Sequence, residues 1–392
     1  MYIIKEVRNL KRKLKVLKIL IVICITFTNF NWSLAAYDEE KLNISSDAAI
    51  IMEQSTGRVL FGKNERKKVK IASTTKILTA IVAVENNPLT DKVIISKKAD
   101  GTGGSSVGIV SGSEVTLEAL LYGLLLKSGN DCAIAIAEHV GGDVETFVKM
   151  MNEKAYEIGA KDTNCTNPHG LDTENNYSTA YDLAKITCYA KSNETLSKML
   201  GTKSITINFG KQSKYLSNTN RLLFSYPYCD GGKTGFTNIA NRCLVATAKK
   251  DDLKIMGIIL GAPTTDVRFN ECKELLKYGI ENYKMVNIKD RINWYIDIPV
   301  IKGDVKAYVK KFDADISLPL REDELERIYV SQNIVPILNT PVKRGSYLGN
   351  IELYIDEEKL YNKEIYLDKD LNKNTVIDYM ILGFKSLFNI EY

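Results

Sequence analysis

The tetrapeptide Ser73-Thr74-Thr75-Lys76 constrains this chain more than any other stretch. It opens the run Ile77-Leu78-Thr79-Ala80-Ile81-Val82-Ala83-Val84, mostly helix formers with apolar positions about a turn apart. A buried helix is therefore expected from near Ser73. Positions i and i+3 of a helix share a face, which puts the Lys76 ammonium within reach of the Ser73 hydroxyl. A serine beside a buried lysine is a candidate nucleophile with its own base, because burial lowers the lysine pKa. Unpaired N–H groups at the helix start also favour developing negative charge there. Taken alone, Ser73 fits an ordinary N-cap equally well. It is the only serine in the chain with lysine three residues on, and the decision rests on what else the chain supplies.

The first eighteen residues carry seven basic side chains against one acidic. The apolar run Ile19–Phe27 and then Ser33-Leu34-Ala35-Ala36 follow. Basic, apolar, then small-x-small is the layout of an export signal, expected over residues 1–35. The run is short for a membrane span, although an uncleaved anchor shares the layout. Without those seven bases and one acid, the formal +5 becomes −1. The basic balance thus belongs to the export segment and gives no reason to expect a nucleic-acid partner. There is no P-loop, dinucleotide fingerprint or zinc-ligand spacing, and His139 and His169 are the only histidines, so no cofactor or metal is expected. Six cysteines lie beyond Cys24, scattered and several within apolar runs, and most read as buried thiols.

Two further motifs follow in order. Asp47–Glu53 and Arg58–Phe61 read as strands around a turn, and a Gly/Ser-rich loop, Asp100–Ser106, leads to a helical apolar run ending at Leu126. Ser128-Gly129-Asn130 then sits between that helix and the next, where a hydroxyl and a carboxamide can point into one cleft, one relaying protons and one binding an amide. An ordinary helix-linking turn uses the same residues. Lys233-Thr234-Gly235 falls on an expected strand beside the hairpin Leu244–Ala248 and Leu253–Gly261. Lysine and threonine there can hold a carboxylate, and Gly235 lets substrate near the backbone; a surface Lys-Thr on an edge strand is the plain alternative.

Ser-x-x-Lys, Ser-x-Asn and Lys-Thr-Gly in this order resemble the motif set of β-lactamases and penicillin-binding proteins. More narrowly, the chain resembles the low-molecular-mass penicillin-binding proteins that act as serine D-alanyl-D-alanine carboxypeptidases. The likeness spans nearly all of residues 37–370 and includes Asn167-Pro168-His169-Gly170-Leu171. It implies an α+β fold: a β-lactamase/D,D-peptidase-like α/β/α sandwich with an antiparallel sheet, plus a small C-terminal all-β domain. It also implies that Ser73 attacks the bond between the terminal D-alanines of a peptidoglycan stem peptide, with Lys76 as base and β-lactams as covalent inhibitors. Ser128 would relay the proton to the leaving D-alanine and Asn130 would bind the substrate amide. Lys233 and Thr234 would hold the terminal carboxylate, while N–H groups of Ser73 and Phe236, beside Gly235, form the oxyanion hole. Arg268 falls where the family has a carboxylate-assisting arginine, although a solvated arginine fits the loose alignment nearly as well. A β-lactamase or D,D-endopeptidase could use the same groups, and a silent wall-binding relative would have lost some of them. Class A β-lactamases carry a glutamate where this chain reads Asn164–Leu171, and an aspartate where it has Gly129. Slow deacylation of penicillin is therefore expected. His169, in a Pro-Gly turn, reads as a loop-fixing residue.

After Tyr283 the pattern changes to short alternating strands such as Trp294–Ile298, Val305–Val309 and Ile351–Ile355. The expected division is a catalytic domain over 37–283, a β-sandwich-like domain over 284–370 and an amphipathic helix over 371–392. In that tail Val376, Ile377, Met380, Ile381, Phe384, Leu387 and Phe388 recur at helical spacing. They suit a helix lying in a membrane surface, or one docked on its own protein. The expected location is outside the cytoplasm, peripheral to the outer face of the cytoplasmic membrane.

Overall fold

A computed structural model of the chain describes residues 42–289, 294–312 and 315–387. The expected export signal lies outside these residues, as does Phe388 of the tail stripe. The N-terminal part is built on strands β1 (Ala48–Glu53) and β2 (Val59–Lys63), followed by a 3₁₀ turn at Ala72–Thr75 that runs into helix α1 (Lys76–Asn86). Helices α2 (Leu117–Leu126), α3 (Asn130–Gly141), α4 (Val144–Glu157) and α5 (Ala180–Ser192) come next, then the hairpin β3 (Ser204–Phe209) and β4 (Gln212–Ser217). Strands β5 (Cys229–Thr237), β6 (Asn241–Lys250) and β7 (Leu253–Ala262) lead to helix α6 (Thr265–Asn282).

Five strands form one sheet in the order β2-β1-β7-β6-β5, with every neighbouring pair antiparallel. Alternating side chains give this sheet two apolar faces. α6 packs on one: a Cβ on Gly257 would lie 3.2 Å from Leu276 Cδ2, and one on Gly279 only 2.6 Å from Ile255 Cδ1. Ile50, Met52, Met256 and Ile258 face the other way and join a single core with Ile77, Leu120, Ile134, Phe147 and Leu183 of α1–α5. Helix, sheet, helix is the layering, so both faces of a sheet of nearly continuous apolar strands are covered. β5 is left at the sheet edge.

The C-terminal part is β-rich. Strands β8 (Tyr295–Ile301) and β9 (Ala307–Lys311) pair antiparallel. β10 (Ile328–Ile334), β11 (Tyr347–Ile355) and β12 (Glu358–Tyr366) make an antiparallel sheet with β11 central. Its core gathers Trp294, Ile296, Ile298, Tyr308, Leu318, Ile351, Leu353 and Ile365. Helix α7 (Val376–Leu387) follows, with Val376, Ile377, Met380, Ile381 and Phe384 exposed. Among the described residues no helix is long and apolar enough to cross a membrane.

Arg58, on the turn between β1 and β2, ties the two parts together. Its guanidinium donates to both carboxylate oxygens of Glu324 (2.9 and 2.8 Å), to Glu358 (3.1 and 2.8 Å) and to the Pro319 carbonyl (2.6 Å). The Arg58 and Glu324 side chains are only 7% and 5% exposed. Removing Arg58 leaves the buried Glu324 carboxylate with Arg321, whose N–H donates at 2.9 Å and whose Nε lies 3.8 Å away, in place of a bidentate partner, so Arg58→Ala is expected to lower stability to unfolding by about 3 kcal/mol. Denaturant melts of the two proteins measure it, and an unchanged midpoint would mean that Arg321 suffices to hold Glu324.

Candidate active site

The helix anticipated from Ser73 begins three residues later. Ala72–Thr75 form a 3₁₀ turn because the Thr74 and Thr75 hydroxyls donate back to the carbonyls of Ile71 (2.6 Å) and Ala72 (2.9 Å), and Ala72 has a positive φ of 47°. Ser73 therefore caps nothing. Its hydroxyl meets Lys76 Nζ at 2.7 Å, the contact that i, i+3 spacing allows on one turn.

Lys76 is fully buried and has two further partners, Asn130 Oδ1 at 2.7 Å and the His169 carbonyl at 2.7 Å. Burial, and then the nearby Lys233 charge, push its pKa well below the lysine range. A neutral amine has two N–H donors and one lone pair. Asn130 Oδ1 and the His169 carbonyl can only accept, so of the three partners only Ser73 can donate a proton to that lone pair. Asn130 is held from behind as well, its Nδ2 donating to the Gly103 carbonyl at 2.7 Å.

Ser128 lies two residues before Asn130 in the α2–α3 turn, 7% exposed and with φ at 61°. Lys233 and Thr234 lie on β5. Lys233 is fully buried and donates to the Thr234 carbonyl at 2.8 Å; burial, then Arg268, push its pKa down to about 7. The Thr234 hydroxyl pairs with that of Thr219 at 2.7 Å. Gly235 runs against the Ser73 turn itself: a Cβ there would lie 3.0 Å from the Ile71 carbonyl and 3.1 Å from Ser73 N. The bare Cα thus brings an edge strand beside the Ser73 backbone. Phe236 is half exposed under the Arg242 guanidinium, 4.8 Å from the ring centroid. Arg268 is buried rather than solvated, at 8% exposure. It donates from Nη1 to the Gly235 carbonyl at 3.3 Å, while its Nε has no hydrogen-bond partner among the described residues.

Two contributors escaped the sequence reading. One is the main chain of His169; its ring, pushed down to about 4 by burial and then by Lys76, accepts from Leu171 N at 3.3 Å and so fixes the loop as anticipated. The other is Thr219, whose only signal was its place in a polar run, Ser217–Asn220. Among the described residues the six cysteines are unpaired, five of them buried.

Gly170 sets the distance between the His169 loop and Ser73. Its φ is 82°, and a Cβ would lie 2.0 Å from the Ala72 carbonyl oxygen. Gly170→Ala must move that carbonyl, and Ser73 with it. A displacement near 1 Å costs on the order of 10²-fold in rate, the loss expected in acylation by benzylpenicillin. Stopped-flow acylation of the purified variant checks this, and a wild-type rate would exclude the coupling.

Residues 35–264 match the family described as D-alanyl-D-alanine carboxypeptidase, and residues 283–373 match the penicillin-binding protein 5 C-terminal domain. The chain is 33% identical over 344 residues to the D-alanyl-D-alanine carboxypeptidase DacF of Bacillus subtilis, covering 85% of this chain and 87% of that one. It is 30% identical over 366 residues to DacC of Escherichia coli, with 89% and 91% covered. Among solved structures it is similar to penicillin binding protein 5 of Haemophilus influenzae, with a TM-score of 0.74 and 27% identity over 84% of this chain and 98% of the other.

Proposed function

Because the chain belongs to the D-alanyl-D-alanine carboxypeptidase family of low-molecular-mass penicillin-binding proteins, we propose how its own residues carry out the serine-type carboxypeptidase reaction. Ser73 Oγ attacks the carbonyl between the two terminal D-alanines of a peptidoglycan stem peptide, and Lys76 takes the hydroxyl proton. The observation that carries this reading is the trio of partners around Lys76 Nζ, which leaves its lone pair for Ser73. The resulting tetrahedral oxyanion is held by the N–H groups of Ser73 and Phe236, each donor being worth roughly 3–4 kcal/mol in such sites. Collapse expels D-alanine, whose nitrogen is protonated through Ser128, and leaves an acyl-enzyme at Ser73 that water then hydrolyses.

Lys233, Thr234 and Arg268 hold the carboxylate of the leaving D-alanine. The Thr234 hydroxyl donates to it while accepting from Thr219, which gives that hydroxyl pair its direction. Asn130 binds the substrate amide. β-Lactams, which place a strained amide and a carboxylate at the same spacing, acylate Ser73 and persist, because the Asn164–Leu171 segment offers no carboxylate to activate water. The test is release of D-alanine from a peptide ending in D-Ala-D-Ala, lost in Ser73→Ala. Rapid turnover of penicillin without D-alanine release would favour a β-lactamase.

Residues 1–35 act as an export signal, and residues 37–283 and 284–370 divide catalysis from support. The tail over 371–392 lies in the membrane surface, with the exposed row on α7 as support. Binding of the mature chain to anionic lipid vesicles, lost when residues 376–392 are removed, tests the last point; equal binding would place the anchor elsewhere.

A further inference from the structure

We propose that Lys214, acting with Asp131, is a positioning residue that fixes the Asn130 carboxamide and through it Lys76. The inference deepens the reading of Lys76 as the base for Ser73 and rests on it. Asn130 is bound to the loop Gly103–Ile109 at two points: its N–H donates to the Ser105 carbonyl at 2.7 Å and its Nδ2 to the Gly103 carbonyl at 2.7 Å. That loop packs Val107 and Ile109 on the core, but its stretch that meets Asn130, Gly103-Gly104-Ser105-Ser106, has no apolar side chain to bury and gains little rigidity from its own sequence.

It is clamped from both sides by opposite charges. The Asp131 carboxylate, 1% exposed, accepts from the Ser106 hydroxyl (2.6 Å) and from the N–H groups of Val107 (2.9 Å), Gly108 (2.8 Å) and Ile109 (3.3 Å). Lys214, on β4, reaches across from the other side and donates to the carbonyls of Val107 (2.9 Å) and Gly108 (2.6 Å). The anion takes the amides and the cation takes the carbonyls of the same two peptide units. Both are charge-assisted bonds, the stronger kind.

What the clamp protects is the sense of one amide. With Gly103 offering only an acceptor, Asn130 must turn Nδ2 to the loop and Oδ1 to Lys76. If the loop drifts, the amide is free to rotate. An NH₂ presented to Lys76 competes with Ser73 for the amine's lone pair. The rate then falls, although both catalytic side chains remain.

The groups facing Lys76 are Lys233 from β5, Asp131 and Cys132 from α3, and His169 from its loop. Loss of the Asn130 acceptor removes a partner of the charged amine and lowers the Lys76 pKa further, whereas loss of a nearby cation alone would raise it. The two effects have opposite signs, and this makes Lys214→Met decisive. The experiment is the pH dependence of benzylpenicillin acylation for wild type, Lys214→Met and Lys214→Arg, with melting curves for each and Ser73→Ala as control. Lys214→Met is expected to lower the plateau rate by on the order of 10-fold, short of the full cost of a misplaced group, and to move the acid limb to lower pH. Lys214→Arg, which keeps the charge and the donors, restores both. An unchanged plateau, an acid limb moved to higher pH, or a slower rate with an unmoved limb each overturns the positioning role. If wild type itself forms no adduct that Ser73→Ala removes, the failure lies in the reading of Ser73 and Lys76 instead.

Discussion

Replacing Lys76 with methionine is expected to slow acylation of Ser73 by benzylpenicillin by about 10²–10⁴-fold, the range that a positioned general base supplies. Methionine keeps the length and the burial of the side chain, but its thioether sulfur is far too weak a base to take the Ser73 proton. The His169 carbonyl and Asn130 Oδ1 lose their donor, so the cavity is not left neutral to the change. The same substitution removes a fully buried amine that the fold already holds far below its ordinary pKa. Stability should therefore rise as activity falls, the expected trade at a site kept unfavourable for its chemistry. Stopped-flow acylation beside a thermal melt separates the two. A slow and less stable variant would mean that Lys76 serves the fold.

Lys233→Met carries the second large effect. If Lys233 binds the substrate carboxylate as a cation, its loss removes a charge-assisted hydrogen bond, so kcat/KM for a D-Ala-D-Ala peptide should fall by on the order of 10²-fold. The pH dependence gives a sharper signature. In the free enzyme burial, then Arg268, push Lys233 down to about 7, so its charged form is lost as pH rises through that value. Lys76 must be neutral, and activity is lost as pH falls through its own depressed pKa. The kcat/KM profile is bell-shaped, with the alkaline limb set by Lys233 near pH 7 and absent in Lys233→Met. Stability runs the other way. A lysine depressed from 10.5 to about 7 costs the folded state on the order of 5 kcal/mol below pH 7, at about 1.36 kcal/mol per unit, and the cost fades between pH 7 and 10.5. Lys233→Met should melt higher than wild type at pH 6 and converge with it above pH 10. An alkaline limb that survives the substitution would assign it to another group.

The site could be read from sequence where local geometry settled it. Ser73 and Lys76 lie three residues apart on one turn, and the chain needs no tertiary information to bring them together. Ser128-Gly129-Asn130 was legible as a turn between two apolar helices, and as part of the site only through its order between the other two motifs. Of the five sheet strands of the N-terminal part, β1, β2, β6 and β7 showed themselves by their apolar runs, whereas β5, rich in glycine, was expected only from its place beside the β6–β7 hairpin. The His169 carbonyl did not, because every residue carries a carbonyl and this one reaches Lys76 across 93 positions. Thr219 was hidden for the same reason: its partner Thr234 is set by the fold. Asp131 and Lys214 look like ordinary surface charges until the loop between them is seen. In the C-terminal part, β12 went unnoticed since Glu358–Tyr366 buries little and its charges mask any alternation. The 3₁₀ start of α1 was missed because two threonine hydroxyls compete for the first carbonyls, which an apolar periodicity does not register.

The central claim is that Ser73 is the nucleophile, and one measurement reaches it directly. The purified mature protein is incubated with benzylpenicillin and its intact mass followed over time, beside Ser73→Ala. A one-to-one adduct that persists for many minutes in wild type and never forms in Ser73→Ala is the predicted result. An adduct of equal size in both proteins, or none in either, would contradict the claim.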